Sequence, residues 1–362
     1  MATTSNDHFF MSHAIDLARR GLYTTHPNPR VGCVVVKDGN VVGEAWHRQA
    51  GEPHAEVIAL REAGDAARGS SVYVNLEPCC HQGRTPPCTG FLIDAGVKRV
   101  VAALEDPNPQ VAGGGVHALR SAGIDVEVGV MRSDAERLNR GFLHRIIRGR
   151  PWVSLKVAAS MDGRTAMSSG ESQWITGKSA RRDVHHWRAR SSAVMTGSGT
   201  ILADDPALTV RHVDVQRQPL RVVVDSRFST PEGARVLQQP GRTLVATANE
   251  AYEHADRVGS SLEVVCLPGD DGAVDLVALV DDLSQREVNE LLVEAGPTLS
   301  GAMMKAELVD EILLYLAPRI LGNEARGMFD LPGRKHLGEC AELDVTDIRQ
   351  FGADIRIRLS PG

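Results

Sequence analysis

His54-Ala55-Glu56, completed by Glu77-Pro78-Cys79-Cys80-His81-Gln82-Gly83-Arg84-Thr85-Pro86-Pro87-Cys88, is the stretch on which the reading of this chain turns. A His two residues before a Glu, followed by Pro-Cys and a further Cys, is the pattern of a zinc site that deaminates an amino-substituted heterocycle. The residue types follow from the chemistry. Zinc takes neutral imidazole and thiolate ligands, and a catalytic site keeps one position open for water. Zinc brings the pKa of that water near neutrality, and a carboxylate that is not a ligand must move the protons. His54 and the cysteines are the candidate ligands and Glu56 the candidate proton shuttle. A lone His-x-Glu is common on helix surfaces, and a lone Cys is often a small buried hydrophobe. A structural zinc site uses four protein ligands in two tight pairs. One His with two or three cysteines suits an open site better.

Working outward, the 362 residues correspond to two domains at ~150 residues each. The chain is 42% hydrophobic and 24% charged, the balance of an ordinary globular protein. A net charge of −6 argues against a chain built mainly to bind nucleic acid. The polar start, Met1 to Asp7, has no apolar signal core, and no apolar span long enough for a membrane follows. Cys79, Cys80 and Cys88 cluster, whereas Cys33, Cys266 and Cys340 stand alone. That is the usage of a metal site in a reducing compartment, so a cytoplasmic location is expected.

Local signals alternate between helix and strand. A helix is predicted over residues 9–20, then a Pro-rich turn at His26-Pro27-Asn28-Pro29-Arg30. Val31–Val36 and Val41–Ala45 flank Lys37-Asp38-Gly39-Asn40, a hairpin signal. The Gly51-Glu52-Pro53 turn should deliver His54 and Glu56 into the first turn of a helix ending near Gly64. Strands at 71–76, 98–104 and 124–130 alternate with helices from Thr89, over 116–122, and from a Ser133 cap to Gly149. Arg148-Gly149-Arg150-Pro151 is the boundary signal, which divides the chain into 1–149 and 150–362. The second half repeats the alternation, with strands at 152–157, 193–196, 220–224, 243–247, 262–266, 290–294 and 311–316. Helices are predicted at 178–190, 275–285 and 298–308, and a hairpin at 345–359. No internal repeat is evident. Two successive α/β domains are expected.

Adjacent residues on an extended or turning chain point their side chains different ways, so Cys79 and Cys80 would rarely reach one tetrahedral ion together. Cys79 follows the proline that ends a strand, and Cys88 follows the proline before a helix; these two are chosen as ligands beside His54. Cys80 is held back as a supporting or buried residue, and His81 as a candidate substrate contact. Asn28, between two prolines, is either a substrate-recognising amide or a turn-forming residue.

In the second half, no Gly-x-Gly-x-x-Gly fingerprint occurs, which argues against an ordinary Rossmann domain. Two Gly-bearing turns follow strands, Met195-Thr196-Gly197-Ser198-Gly199-Thr200 and Glu294-Ala295-Gly296-Pro297-Thr298-Leu299-Ser300-Gly301. Such turns at helix starts offer N–H groups to a phosphate, which favours a nucleotide cofactor. Between them, Asp204 and Asp205 are candidates for ribose or pyrimidine contacts and Arg211 for a phosphate. An Asx turn at Asp205 before Pro206 is the structural alternative.

The first half resembles the cytidine-deaminase-like fold, a three-layer α/β/α domain, except that Cys79 and Cys88 are farther apart than in the common Pro-Cys-x-x-Cys form. The long loop, with 25-Thr-His-Pro-Asn-Pro-29, 50-Ala-Gly-Glu-Pro-His-Ala-Glu-56 and Asp106-Pro107-Asn108-Pro109-Gln110-Val111-Ala112-Gly113, resembles the bifunctional riboflavin-biosynthesis deaminase–reductase family. In the second half Lys156-x-Ala158-x-Ser160-x-Asp162-Gly163-Arg164, Ser172-Gln173-Trp174-Ile175-Thr176 and the 203–211 stretch resemble its reductase, whose fold is similar to dihydrofolate reductase. The resemblance implies zinc-dependent hydrolytic deamination of a diaminopyrimidinone carrying ribose 5-phosphate. NADPH-dependent reduction of the ribosyl group to ribityl would follow. It implies cofactor positions at Ala158, Trp174, Thr200, Asp204, Ser226, Gly296, Pro297, Thr298, Leu299, Ser300, Gly301 and Ala302. Substrate positions fall on Ser172, Arg188, Leu208, Arg211 and Glu294, with Arg84 or His81 facing phosphate or base and Lys156 the opening sugar. The partner expected is this small molecule, with no nucleic acid and no membrane, in a homo-oligomer.

Overall fold

The computed structural model describes residues 5–81, 86–109, 111–252 and 261–362. The chain divides into two compact units, Met1–Gly149 and Arg150–Gly362.

The first unit runs α1 (Ser5–Arg19), β1 (Gly32–Lys37), β2 (Asn40–Trp46), α2 (Ala55–Ala63), β3 (Ser71–Val74), α3 (Cys88–Asp94) and β4 (Arg99–Ala102). α4 (Gly114–Ser121), β5 (Asp125–Val128) and α5 (Arg132–Arg148) complete it. Its sheet has the order β2-β1-β3-β4-β5. β1 is antiparallel to β2 and β3, and β3, β4 and β5 run parallel. Strand side chains alternate between faces. Val34, Val36, Tyr73 and Val101 therefore pack on Met11, Ile15, Leu138 and Phe142 of α1 and α5. Cys33, Val35, Val72, Val74 and Val100 pack on Ala59, Leu60, Leu92, Val116 and Leu119 of α2, α3 and α4. The result is three layers, α/β/α.

Two local expectations change. Ser133 does not cap α5: Met131 takes a left-handed conformation (φ 56°), so the chain enters the helix at Arg132 and Ser133 lies inside its first turn. His54 is not in the first turn of α2. It is the extended residue before it, with no side-chain capping bond, and its ring is left for other partners.

The second unit begins with β6 (Trp152–Ser160), β7 (Arg164–Ala166), α6 (Lys178–Arg190), β8 (Ala193–Gly197), α7 (Ser198–Asp204) and β9 (Leu220–Val224). α8 (Arg235–Gln238), β10 (Thr243–Thr247), β11 (Leu262–Cys266), α9 (Leu276–Gln285), β12 (Glu290–Glu294) and α10 (Pro297–Lys305) follow. β13 (Glu311–Ala317), β14 (Arg326–Gly327), β15 (Leu343–Phe351) and β16 (Asp354–Pro361) end it. Nine strands form one sheet in the order β11-β10-β9-β8-β12-β6-β13-β16-β15, and β7 pairs with β14. The strands from β11 to β13 are parallel, and the terminal hairpin is antiparallel. Leu155, Val157 and Val293 pack on Leu279, Leu283 and Met303 of α9 and α10. Leu292, Leu313 and Tyr315 face Ala180 and Val184 of α6. The 197–200 turn is itself the start of α7, which the sequence pattern does not reveal because the helix is short. Asp205 closes that helix in a left-handed conformation, and its carboxylate accepts the Arg235 N–H at 2.7 Å instead of forming an Asx turn.

Candidate functional site

Topology brings four segments of the first unit to one end of its sheet. The start of β1 lies beside the ends of the antiparallel β2 and β3, and β4 ends next to β3. Asn28 precedes β1, His47 follows β2, Cys79 follows β3 and Asp106 follows β4. The start of α2 adds His54 and Glu56, and the start of α3 adds Cys88.

His54 Nδ1 lies 3.2 Å from Cys88 Sγ and 3.6 Å from Cys79 Sγ. One ligand atom from each residue fits within 4.8 Å of the other two. Cys79 Sγ also accepts the Cys88 backbone N–H at 3.3 Å. The Cys88 thiol and the His54 ring, both hydrogen-bonded to Cys79, bring its thiol down to about 4. Cys88 is pushed the other way by the same hydrogen bond and by burial. His54 is raised, chiefly by its bond to Cys79. The three groups are thus linked through shared protons. A divalent cation replaces such protons, and an imidazole with two thiolates is a donor set that fits zinc.

Glu56 is 3% exposed, and its Oε2 has no hydrogen-bond partner among the described residues. Burial raises its carboxyl above the usual range. An orphaned carboxylate oxygen is costly unless a bound molecule completes it. Cys80 stands apart from the cluster, with its sulfur 4.0 Å from the Val111 carbonyl oxygen. His81 is half-buried beside it, and Arg84 lies outside the described residues.

Glu77, the residue before Pro78-Cys79, has a role the sequence did not suggest. Its carboxylate accepts the backbone N–H groups of Asp106, Gly113 and Val116 at 2.9–3.0 Å. This ties Asp106, Gly113 and the start of α4 to the segment that carries Cys79. Gly115 allows the close approach, because a Cβ there would meet the Pro78 carbonyl oxygen at 2.1 Å. Burial pushes the Asp106 carboxyl up to about 6. Asn28 donates its amide N–H to His47 Nε2 at 3.0 Å. His47 is itself buried, and burial lowers its pKa.

The second unit holds a cavity of about 1140 Å³ at the carboxyl ends of its parallel strands, larger than a site for one drug-sized molecule usually is. Ala158, Trp174, Thr200, Asp204, Ser226, Gly296, Pro297, Thr298, Leu299 and Ala302 line it, as do Ser172, Arg188, Leu208, Arg211 and Glu294. Ser300 and Gly301 do not. Ser300 turns its hydroxyl to the Ala295 carbonyl, and Gly301 backs onto Asp330, where a Cβ would meet the backbone oxygen at 2.1 Å. In an α-helix such positions of one turn face opposite sides, so a contiguous run cannot line one wall.

Arg188 grips Glu294 with two bonds, Nε to Oε1 at 2.5 Å and a terminal nitrogen to Oε2 at 3.1 Å, and donates to the Thr209 carbonyl at 2.9 Å. Lys156 Nζ lies 3.9 Å from Glu294 Oε2. Lys156 is not at a strand edge, since β6 runs between β12 and β13 in the middle of the sheet. Burial alone would raise the Glu294 carboxyl, but the charge and hydrogen bonds of Arg188, with Lys156, hold it at about 2. Lys156 is lowered because burial outweighs its more distant attraction to Glu294. The two shifts therefore agree that Arg188 is the dominant partner of Glu294. His185, lowered to about 4 by burial and by Arg188, accepts the Arg211 N–H at 3.0 Å. Ser172 and Gln173 both donate to Asp204 at 3.2 Å.

Residues 4–104 match the family described as the cytidine and deoxycytidylate deaminase zinc-binding region, and residues 151–357 match the RibD C-terminal domain. The chain is 52% identical to riboflavin biosynthesis protein RibD of Escherichia coli (strain K12), over 98% of this chain and 99% of that one. Among solved structures it is similar to Acinetobacter baumannii RibD, with a TM-score of 0.91, 48% identity and 99% of each chain covered. It is also similar to a diaminohydroxyphosphoribosylaminopyrimidine deaminase/5-amino-6-(5-phosphoribosylamino)uracil reductase from Thermotoga maritima. There the TM-score is 0.88 and the identity 32%, with 99% of each chain covered. Among the described residues no helix is long and apolar enough to cross a membrane.

Proposed function

This chain belongs to the RibD family of riboflavin-biosynthesis proteins, and from that premise we propose how its residues share out two consecutive reactions. It is a bifunctional deaminase and reductase. The first unit removes the ring amino group of 2,5-diamino-6-(5-phosphoribosylamino)pyrimidin-4-one. The second reduces the ribosyl group of 5-amino-6-(5-phosphoribosylamino)uracil to ribityl.

One observation carries the deaminase assignment: His54, Cys79 and Cys88 converge while the buried Oε2 of Glu56 has no partner among the described residues. His54, Cys79 and Cys88 would hold zinc, which would supply an activated water. In the hydrolysis the water oxygen bonds to the ring carbon, and the carbon–nitrogen bond breaks. Glu56 carries the two water protons, one to the adjacent ring nitrogen and one to the departing amine, which leaves as ammonia as the carbonyl forms. The Cys88 N–H, at the start of α3, donates to Cys79 Sγ and adds to the Cys88 and His54 side-chain bonds that favour its thiolate form. Asn28 orients the pyrimidine, and Glu77 holds Asp106 and Gly113 in place.

In the second unit a bound NADPH would supply the hydride. Gly296 to Leu299 and Ala302, with Ala158, Trp174, Thr200, Asp204 and Ser226, form its cradle, and the start of α10 offers N–H groups to its phosphates. Ser172, Arg188, Leu208, Arg211 and Glu294 hold the substrate. Lys156 faces the sugar as its ring opens, placed by Glu294. The cavity is large enough for both molecules at once, as a near-attack arrangement requires. Supplying the pyrimidine ribosylphosphate and weighing the products tests the whole scheme. Without NADPH the deaminated compound should accumulate, and with it the deaminated and reduced one. Absence of deamination removes the first assignment, and absence of reduction removes the second.

The place of action is the cytoplasm, in keeping with cysteines that cluster at a metal site and not in a disulfide framework. The chain acts as a homo-oligomer. Leu314, Leu316, Ile355, Ile357, Val345 and Ile348 share one face of β13, β16 and β15 by register, and Ile348 and Val345 are exposed. β15 is an end strand of the sheet among the described residues. Pairing it antiparallel to its own copy about Ile348 sets Asp347 opposite Arg349 twice, a favourable cross-strand charge pair. Light scattering should show wild type as an oligomer and Ile348→Arg as a monomer. An oligomeric variant would move the interface elsewhere, and a monomeric wild type would remove the oligomer.

A further inference from the structure

His47 is buried at the end of β2, at 2% exposure, and is neither a metal ligand nor a proton shuttle. Its backbone is pinned by a 2.8 Å bond from its N–H to the Val31 carbonyl. Its ring lies between two segments that carry function. Nδ1 is 3.3 Å from the Pro53 carbonyl oxygen, the residue before His54. Nε2 is 3.0 Å from the side-chain nitrogen of Asn28. The ring also meets the His54 ring edge-on, with centroids 5.4 Å apart at 82°.

These partners leave the neutral ring one arrangement. A carbonyl oxygen only accepts, so Nδ1 carries the hydrogen and donates it to Pro53. Nε2 then presents a lone pair, which only an N–H can meet. Asn28 must therefore turn its amide nitrogen toward His47, and its oxygen, on the other side of the same carbon, away from it. An unconstrained Asn amide has no such preference, since its two ends are nearly the same shape.

We infer that His47 is a positioning residue that fixes the Asn28 amide with its oxygen presented to the substrate as a hydrogen-bond acceptor. The same ring registers the Asn28 turn against the start of α2, and so against His54. The group recognised by Asn28 is then a donor on the substrate, an N–H of the aminopyrimidine or a ribose hydroxyl, and not a ring carbonyl. This rests on the deaminase reading of the first unit.

The test is a double-mutant cycle in the full-length, zinc-loaded chain, read as deamination KM and kcat. His47→Leu and Asn28→Ala should each raise KM by about tenfold, the worth of one oriented hydrogen bond, with a smaller fall in kcat. The double variant should be no worse than Asn28→Ala alone, because His47 acts through Asn28. Zinc content and NADPH-dependent reduction of directly supplied uracil intermediate should stay at wild-type levels. Effects that multiply in the double variant, or zinc loss in His47→Leu, would overturn the inference. In the wild-type protein, ¹⁵N shifts should show His47 protonated at Nδ1 and not at Nε2 near neutral pH; the opposite tautomer overturns it whether or not the variants fold. A wild-type chain without deaminase activity would instead overturn the reading on which it rests.

Discussion

Glu56→Gln is expected to lower the deamination kcat by about 10²–10⁴-fold, the usual weight of a general acid–base group, while zinc stays bound and reduction continues. The change keeps the shape of the side chain and removes its capacity to carry a proton. Glu56 is buried with an oxygen that no described residue satisfies, and it is not among the three converging ligands. Its loss should therefore touch proton transfer and leave the metal in place. The measurement is metal content beside the two activities, the second assayed on the uracil intermediate supplied directly. Wild-type deamination in the variant would remove Glu56 from the reaction. Loss of zinc together with activity would make it a support of the metal site.

Glu294→Gln should be the most damaging single change in the second unit. Arg188 and Lys156 both point at this carboxylate, whose side chain is 11% exposed. Removing one partner of a buried ion pair costs about 3–5 kcal/mol, because the other charge remains. The open cavity lets water reach the cations in part, so the lower end is expected, with NADPH oxidation lost. The pH dependence has a definite sign. The folded carboxyl sits at about 2, against an ordinary 4.5. Its contribution is thus fully present above pH 4.5 and is lost as pH falls towards 2, amounting to ~3 kcal/mol across that window. Denaturant unfolding of wild type and Glu294→Gln between pH 7 and pH 3 checks this. The difference between them should shrink as pH falls, and a constant difference would show that Glu294 is not held ionised by its neighbours.

Much of the first site was legible because its chemistry dictates residue types and its backbone carries punctuation. Prolines at 53, 78 and 87 mark where the turns deliver His54, Cys79 and Cys88. The choice between neighbouring cysteines needed only the divergence of adjacent side chains, and Cys80 does lie apart from the cluster. The residues that hold the site in place left no comparable trace. Glu77 looks like part of the Glu-Pro-Cys phrase, and its three backbone N–H partners are 29 to 39 residues away in sequence. His47 looks like an ordinary residue after a strand. In the second unit, Lys156 was equally a strand-edge cation or a site residue until β6 was placed between β12 and β13. The run from Gly296 to Ala302 could not show which side of α10 faces the cavity.

The sequence by itself determined the alternation of helices and strands, the division near Gly149, and the candidate donors His54, Cys79 and Cys88 that converge in the fold. These are local matters of periodicity, proline and glycine, and ligand chemistry. The tertiary structure alone decided which distant segments meet: Asn28 with His47, His47 with His54, Glu77 with Asp106 and Gly113, and Arg188 with Glu294. The physical reason is that strand order and burial are properties of the whole sheet. Where a side chain is buried, and beside which charge, sets whether it is ionised and which way it points.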